Sequence, residues 1–312
     1  MTENLNMSSS PHIRAKATTK EIMLYVLIAL LPATIFGIYH FRDQHAWIVV
    51  LVTVVTCVAT EFIYEKCMKR EITIGDGSAA VTGLLLALSL PPNATWWLCV
   101  LGGIFAILIV KQLFGGLGQN FMNPALAARC FLVISFTGRM TNFVYDGVSS
   151  ATPLMNLKDG LDVPLMEMFW GRTAGTIGET SVIALMIGAM FLILMDVIDL
   201  RISGSYLLTF VIFIVLFGGY GVDTQYITAH LCGGGLMLAA WFMATDYVTS
   251  PSTTKGQIIY GISLGIFTGL FRLFGGMAEG ASYAILLGNL LVPLIDKMTP
   301  PRAFGKGGKN EK

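Results

Sequence analysis

Apolar runs close to the length of a membrane-spanning helix alternate with short polar stretches along most of the chain. A helix needs about 20 mainly apolar residues to cross the hydrocarbon core of a bilayer. Two of the runs, 78–90 and 124–136, are shorter and are bounded by prolines. The ten runs cover residues 22–39, 46–64, 78–90, 95–110, 124–136, 180–198, 203–220, 227–244, 257–274 and 282–295. This pattern predicts an all-α, polytopic membrane protein with about ten transmembrane segments.

A long polar stretch, 137–178, contains no apolar run of spanning length and leaves five runs on either side. We therefore expect two membrane halves of five segments each, joined by an extended loop. The predicted parts are an N-terminal segment (1–20), a first membrane half (21–136), a loop (137–178), a second membrane half (179–298) and a C-terminal tail (299–312).

The basic residues between the runs predict which side of the membrane each loop faces. If all ten segments cross, the N-terminus, the 65–70 loop, Arg201, Lys255 and the tail fall on one side. Cytoplasmic loops carry an excess of Lys and Arg, so we expect both termini in the cytoplasm and the 137–178 loop outside the cytoplasmic (inner) membrane.

Composition supports the membrane class and excludes others. Of the 312 residues, 54% are hydrophobic and only 12% are charged, with a net charge of +1. A soluble domain carries about 25% charged residues, so an ordinary soluble enzyme and a nucleic-acid binder are both excluded. The sequence contains no C-x-x-C pair and its four histidines are scattered, so it predicts no metal site. The chain also lacks the glycine-rich motifs that bind ATP or NAD.

A weak internal repeat indicates that the two halves are related. Leu113-Phe114-Gly115-Gly116 recurs as Leu273-Phe274-Gly275-Gly276. An odd number of spans in each half would invert the second half relative to the first, and inverted repeats of this kind place a functional centre at their interface. Gly233, Gly234 and Gly235 fall inside an apolar run, where we expect them to allow close helix packing.

The polar loop contains one motif with a specific chemical meaning. Asp146, Ser149, Ala151 and Thr152 form the pattern D-x-x-S-x-A-T. It resembles the signal by which flavin transferases esterify a threonine hydroxyl to the phosphate of FMN, and Pro153 favours an extended backbone at Thr152. The alternative is an ordinary turn, because Asp-Gly and Ser-Ser are common in loops.

Further motifs stand in a characteristic order along the chain. They are Gly75–Gly83, Lys111–Asn120 followed by Asn123-Pro124 and Arg129, Gly178–Ser181, Ala244–Pro251 and Pro293–Asp296. With the loop motif they resemble the family of the Rnf complex D subunit, which is related to the B subunit of the sodium-pumping NADH:quinone oxidoreductase. The sequence departs from the family pattern at Ser150, where glycine is usual, and at Tyr247, where proline is usual.

The resemblance implies a flavin-carrying subunit of a redox-driven translocase that is not active alone. FMN would be joined to Thr152, and related subunits also hold a non-covalent riboflavin. The complex would pass electrons between ferredoxin and NAD and move Na⁺ or H⁺. The implied partners are other Rnf subunits, including a flavoprotein on the outer face, a flavin transferase during maturation, and membrane lipid.

Polar residues within or beside the apolar runs form a second group of candidates. Asn120, Asn123 and Arg129 surround a predicted helix N-terminus, which suits an anion or a flavin carbonyl, although Arg129 could equally contact a phosphate or a lipid headgroup. Glu179 and Thr180 could line the same pocket or simply start a helix. Asp246 could belong to an ion pathway or could cap a helix end. Glu61, near the end of its run, could pair with Lys66.

A second function also fits the architecture. Inverted halves with short helices are found in channels and secondary carriers for small solutes, and a fold alone does not decide function. Such a protein would have no use for the D-x-x-S-x-A-T loop.

Overall fold

The computed structural model describes residues 18–145, 148–149, 152–158, 163, 165–275 and 280–300. This part of the chain is a helical bundle with one short antiparallel hairpin, in which β1 (Val144–Tyr145) pairs with β2 (Val148–Ser149). The helices are α1 Thr19–His40, α2 Ala46–Cys67, α3 Ser78–Leu88, α4 Trp96–Ile104, α5 Pro124–Ser135, α6 Thr137–Met140, α7 Pro153–Lys158, α8 Leu165–Trp170, α9 Val182–Leu194, α10 Leu200–Phe217, α11 Thr224–Cys232, α12 Leu236–Leu238, α13 Thr254–Leu273 and α14 Ala281–Met298. Helices α4 and α12 continue directly as π-helical segments, Phe105–Gln112 and Ala239–Met243. The all-α class is confirmed apart from the hairpin.

Five helices, α1, α2, α10, α13 and α14, are long and apolar enough to cross a membrane. Helix α11 passes the same test when it is joined to α12 and its π continuation, but the pair is bent by 64°. Four shorter apolar helices complete the set: α3, α4 with its continuation, α5 and α9. The chain is therefore a polytopic membrane protein, and each predicted apolar run coincides with one of these helical segments.

The run 227–244 is the one that the sequence pattern described wrongly as a continuous segment. Helix α11 ends at Cys232, and α12 begins only at Leu236. Gly234 and Gly235 both have φ of +64°, in the left-handed region that glycine adopts without steric cost. These glycines allow the chain to change direction. The sequence pattern instead predicts that they allow close packing within a continuous helix.

Helix α1 defines the two ends of the bundle. It begins beside Gly77 and ends beside Ile177, which Gly37 contacts. Its 22 residues correspond to about 33 Å at 1.5 Å per residue. We call the end where α1 begins the N-terminal face and the opposite end the loop face, because the polar stretch folds over it. There Gly171 contacts Phe36 of α1.

Small residues allow the longest helices to pack closely. Gly261, Gly265 and Gly269 form a stripe on α13 that faces α10, and a methyl group at Gly265 would lie 2.9 Å from the backbone nitrogen of Phe210. Such stripes are typical of helix contacts in membranes. Helices α1 and α9 also meet, with Gly188 against the Ala29 carbonyl.

Candidate functional site

Thr152 lies at the start of α7 on the loop face. It is half-buried, and its hydroxyl oxygen accepts a hydrogen bond from the Met155 amide at 3.4 Å. Its carbonyl accepts from the Met155 and Asn156 amides. Thr152 therefore caps a short helix whose first residue is Pro153, a common arrangement. Esterification of the hydroxyl would remove its proton but leave the oxygen available as the acceptor, so this contact is compatible with a phosphoester.

The rest of the loop motif is only partly described. Asp146 and Ala151 lie outside the described residues, and Ser149 is described only as part of strand β2. Helix α7 itself is anchored, because Leu154 is buried against Gly233 and Gly234. Lys158 donates from Nζ to the Gly275 carbonyl at 3.0 Å. Burial and the positive charge of Arg272 lower the pKa of Lys158.

Arg129 and Glu179 form a buried ion pair inside the bundle. Nη2 of Arg129 lies 3.5 Å from Oε1 of Glu179, and Nη1 donates to Ser282 Oγ at 2.6 Å. Both charged side chains are less than one-tenth exposed, so little of Arg129 is accessible to a phosphate or a lipid headgroup. The pair joins α5, the segment before α9 and the start of α14. Thr180, which follows Glu179 in the sequence, is also buried.

A cavity opens at the N-terminal face. Its walls come from both halves and are mostly apolar, with polar groups from Asn120, Asn123, Asp246, Ser78 and Lys111. The indole N–H of Trp241 is buried in this wall and has no hydrogen-bond partner among the described residues. An apolar lining with a few converging polar groups is typical of a small-molecule site.

Asn123 holds the cavity wall together. Its side-chain oxygen accepts from the Ala125 and Leu126 amides at 3.1 and 3.3 Å and so caps α5, as predicted for a helix N-terminus at this point. Its Nδ2 donates to the Met243 carbonyl at 3.4 Å, which links the two halves. The Asn120 amide donates to the Met122 carbonyl, and Asn120 also lines the cavity.

Asp246 lies in the turn that follows the π-helical continuation of α12. Its carboxylate accepts from the Val248 amide and from the Thr249 hydroxyl, both at 3.3 Å. Burial raises the pKa of this carboxyl, although both hydrogen bonds act in the opposite direction. Asp246 thus has the turn-capping contacts of the simpler interpretation and also reaches the cavity.

A second buried ion pair was missed by the sequence reasoning. Glu61 pairs with Lys111 at 2.6 Å, so its predicted pairing with Lys66 is wrong. Lys111 Nζ also donates to Ser78 Oγ at 2.6 Å, and the Gln112 amide donates to Glu61 at 2.7 Å. The available signal was the position of Lys111 directly after the apolar run 95–110, because a charge at membrane depth needs a partner.

Arg272 is the other functional residue that the sequence reasoning missed. It is fully buried and donates to the carbonyls of Gly233 and Gly234 at 2.8 and 3.0 Å and to that of His230. It stands directly before Leu273-Phe274-Gly275, which begins the second copy of the internal repeat. The repeat therefore pointed to its neighbourhood but not to its partners.

The predicted candidates thus fall into three separate places. Asn120, Asn123 and Asp246 line the cavity at the N-terminal face. Arg129 and Glu179 pair with each other within the bundle. Thr152 lies at the loop face, beside the break between α11 and α12. Arg129, Glu179 and Thr180 do not line that cavity, and their assignment to a flavin pocket stays a prediction.

Comparison with known proteins gives a consistent result. The model of the NQR2, RnfD, RnfE family matches residues 6–305. The chain is 50% identical to the D subunit of the Na(+)-translocating ferredoxin:NAD(+) oxidoreductase complex of Acetobacterium woodii, over 97% of this chain and 96% of that protein. It is 42% identical to the D subunit of the proton-translocating ferredoxin:NAD(+) oxidoreductase complex of Clostridium ljungdahlii, over 96% of each chain. It is 35% identical to the D subunit of the ion-translocating oxidoreductase complex of Shewanella amazonensis, over 97% of this chain and 98% of that protein.

Proposed function

Because this chain belongs to the NQR2, RnfD, RnfE family, we propose that it is the D subunit of an ion-translocating ferredoxin:NAD oxidoreductase complex and carries FMN on Thr152. The family and the relatives support the subunit assignment, and the D-x-x-S-x-A-T motif with its capping threonine supports the attachment site. On its own the chain is not a complete enzyme. Its partners are the other subunits of the complex, including a flavoprotein on the outer face, and a flavin transferase during maturation.

The observation that carries the flavin proposal is the setting of Thr152. Its hydroxyl lies at the start of a short helix outside the apolar helices and is half-buried. A bound FMN would supply reversible transfer of one or two electrons at this end of the bundle. The chain's own contribution is to fix the attachment point through α7 and to keep the hydroxyl within reach of the attaching enzyme.

The arrangement of the helices supports two inverted halves of five segments in the inner membrane. The first helices of the halves, α1 and α9, pack on each other, and the last, α5 and α14, are joined by Arg129 and Ser282. The two Leu-Phe-Gly-Gly repeats each begin at the end of the fourth apolar segment of a half. We place both termini in the cytoplasm and Thr152 outside.

The cavity at the N-terminal face supports a second, non-covalent flavin, for which riboflavin is the family precedent. A carrier on this side would shorten an electron path that otherwise crosses about 30 Å of hydrocarbon. Asn120 contributes a side-chain amide to the wall, which Asn123 shapes through its own hydrogen bonds. Trp241 offers an unused donor, and the apolar walls suit an isoalloxazine ring. Arg129, Glu179 and Thr180 would support this region from within the bundle and would not contact the ring.

Movement of the coupling ion would involve polar groups at membrane depth. Asp246, Lys111 and Ser78 line the same cavity, and Lys111 connects it to the Glu61 pair. A change in the charge of a flavin bound there would alter the electrostatic environment of these groups in a low-dielectric site. We therefore place the ion pathway beside Asp246.

The flavin assignment is tested by Thr152→Ala, compared with Thr141→Ala as a matched control. Thr141 is an exposed threonine on the same loop face. After denaturing electrophoresis of membranes that contain the attachment enzyme, we expect the wild type and Thr141→Ala to fluoresce under ultraviolet light. Thr152→Ala should not. Equal fluorescence in Thr152→Ala would place the flavin elsewhere.

The alternative of a small-solute carrier is favoured by one observation, the 64° bend between α11 and α12. Broken helices of this kind line substrate sites in secondary transporters. Solute flux into liposomes that contain the isolated chain, together with the absence of covalent flavin, would establish that function in place of electron transfer.

A further inference from the structure

The break between α11 and α12 depends on one side chain from another helix. A chain that leaves the helical path also leaves carbonyl oxygens without their helical amide partners. Here the carbonyls of His230, Gly233 and Gly234 accept from Arg272 of α13. The guanidinium is fully buried and lies over the Phe210 ring, 5.2 Å from its centroid. Arg272 therefore fixes the backbone geometry of the break.

Helix α7 also packs on this break. Leu154, only 1% exposed, lies against Gly234 so closely that a methyl group there would be 2.7 Å from Leu154 Cδ2 and 2.9 Å from Arg272 Nη2. The other end of α7 is held by Lys158, whose Nζ donates to the Gly275 carbonyl three residues after Arg272. Gly234 is thus in close contact with both Leu154 and Arg272.

We infer that Leu154 and Arg272 are positioning residues that dock the flavin-bearing threonine onto the broken helix of the second half. The expected effect on a flavin rests on the proposed attachment of FMN to Thr152, whereas the docking of α7 onto the break does not depend on it. Thr152 is two residues before Leu154, so the place of its hydroxyl is set by a contact with the bundle interior. The break is in turn continuous with Asp246 through α12 and its π-helical continuation.

The consequence is a mechanical and electrostatic connection between the two faces. A displacement of α7 changes the packing on Gly234, and a change in the break changes the setting of Thr152. The fixed positive charge of Arg272 on this side favours addition of an electron to a flavin held nearby. Loss of that charge is therefore expected to make such a flavin harder to reduce.

The test uses the intact complex with four variants of this chain: Leu154→Ala, Met155→Ala, Arg272→Lys and Arg272→Gln. Met155 is the matched control, because it follows Leu154 on the same short helix but its side chain is 43% exposed. Three quantities are measured. They are the fluorescence of covalently attached flavin, the midpoint potential of that flavin, and the hydrogen exchange of the peptide that contains residues 229–236.

We expect Leu154→Ala to keep its covalent flavin while its potential shifts and exchange at the break increases. Arg272→Gln should show a lower potential and faster exchange, Arg272→Lys a smaller change in both, and Met155→Ala neither. Wild-type potential and exchange in Leu154→Ala would overturn the inference. If Arg272→Gln does not assemble, Leu154→Ala and Arg272→Lys decide the question.

The exchange measurement separates this inference from the proposed function. If no form of the chain carries a covalent flavin, the flavin proposal fails. Faster exchange at the break in Leu154→Ala, and not in Met155→Ala, would still support the docking contact. Unchanged exchange in both would overturn it.

Discussion

Lys111 and Glu61 show at the residue scale how this protein keeps charges at membrane depth. Their side chains are 3% and 0% exposed and lie 2.6 Å apart. A buried pair is held by mutual attraction and by the neighbouring polar groups, here Ser78 and Gln112. Loss of one partner leaves an uncompensated charge, and the cost of such a change is typically about 3–5 kcal/mol.

We predict that Lys111→Met lowers the thermal stability of the detergent-solubilised protein strongly and that Glu61→Gln with Lys111→Met recovers much of the loss. Lys66→Met is the control, since Lys66 is exposed and its ammonium lies over the Phe62 ring, 5.7 Å from the centroid. Unfolding midpoints of the wild type, the two single variants and the double variant measure the coupling between Glu61 and Lys111. Additive effects of the two substitutions would contradict it.

Asp246 supports a second prediction at this scale. Its raised pKa reflects burial of a carboxyl whose oxygens accept from Val248 and Thr249. Asp246→Asn retains an acceptor oxygen and removes the charge, so we expect the fold to be kept. Asp246→Leu loses both hydrogen bonds, each worth about 1 kcal/mol, and should lower the unfolding midpoint. Ion transport by the complex should fall in both variants, and full transport in Asp246→Asn would remove Asp246 from the pathway.

Single residues also show what the sequence could and could not reveal. The helix N-terminus predicted beside Asn123 is confirmed, since α5 begins at Pro124, and such a start is a local property of adjacent residues. The partner of Arg129 is Glu179, fifty residues away, and the partner of Glu61 is Lys111. Such pairs depend on helix packing across the bundle, which local patterns do not contain.

At the scale of helices, α13 and α10 pack closely along their length. The two helices differ in how much space surrounds their glycines. An added methyl group at Gly265 would meet the backbone of Phe210 at 2.9 Å, whereas at Gly204 of α10 nothing lies within 4 Å. The same substitution is therefore expected to have opposite effects at these two positions.

We predict that Gly265→Ala destabilises the protein by about 1–3 kcal/mol through overpacking. Gly204→Ala should be neutral or should stabilise it by up to about 1 kcal/mol, because alanine is the better helix former. Unfolding midpoints in the same detergent compare the two variants. A more stable Gly265→Ala would show that α13 can move away from α10 at little cost.

The helices also mark the limit of the hydrophobic pattern. Ten apolar runs gave the positions of the helical segments well, since burial in lipid requires apolar residues whatever their neighbours are. The same pattern concealed the break at Gly233–Gly235, because those residues are as apolar as the run around them. The direction of the chain there depends on left-handed backbone angles and on Arg272, and neither is encoded in hydropathy.

At the scale of the whole molecule, the central question is which face lies outside the cell. The chain contains a natural reporter, because Cys67 at the end of α2 is exposed, while Cys57, Cys99 and Cys130 are buried. The last turn of α2 also contains Glu65, whose carboxylate accepts hydrogen bonds from Thr73. Thr73 lies just before Gly77, beside which α1 begins. Cys67 therefore belongs to the N-terminal face. Thr141 belongs to the loop face, and its side chain is exposed.

We predict that a membrane-impermeant maleimide labels Thr141→Cys in intact spheroplasts and labels Cys67 only after the membrane is opened. The positive charges near the N-terminal face, Lys66, Lys69 and Arg70, are the physical reason, since segments rich in Lys and Arg stay in the cytoplasm. Cys67→Ser identifies the native signal. Labelling of Cys67 from outside, with Thr141→Cys protected, would place Thr152 in the cytoplasm. Electrons would then enter and leave at faces opposite to those proposed, and an attachment enzyme outside the membrane could not reach the threonine.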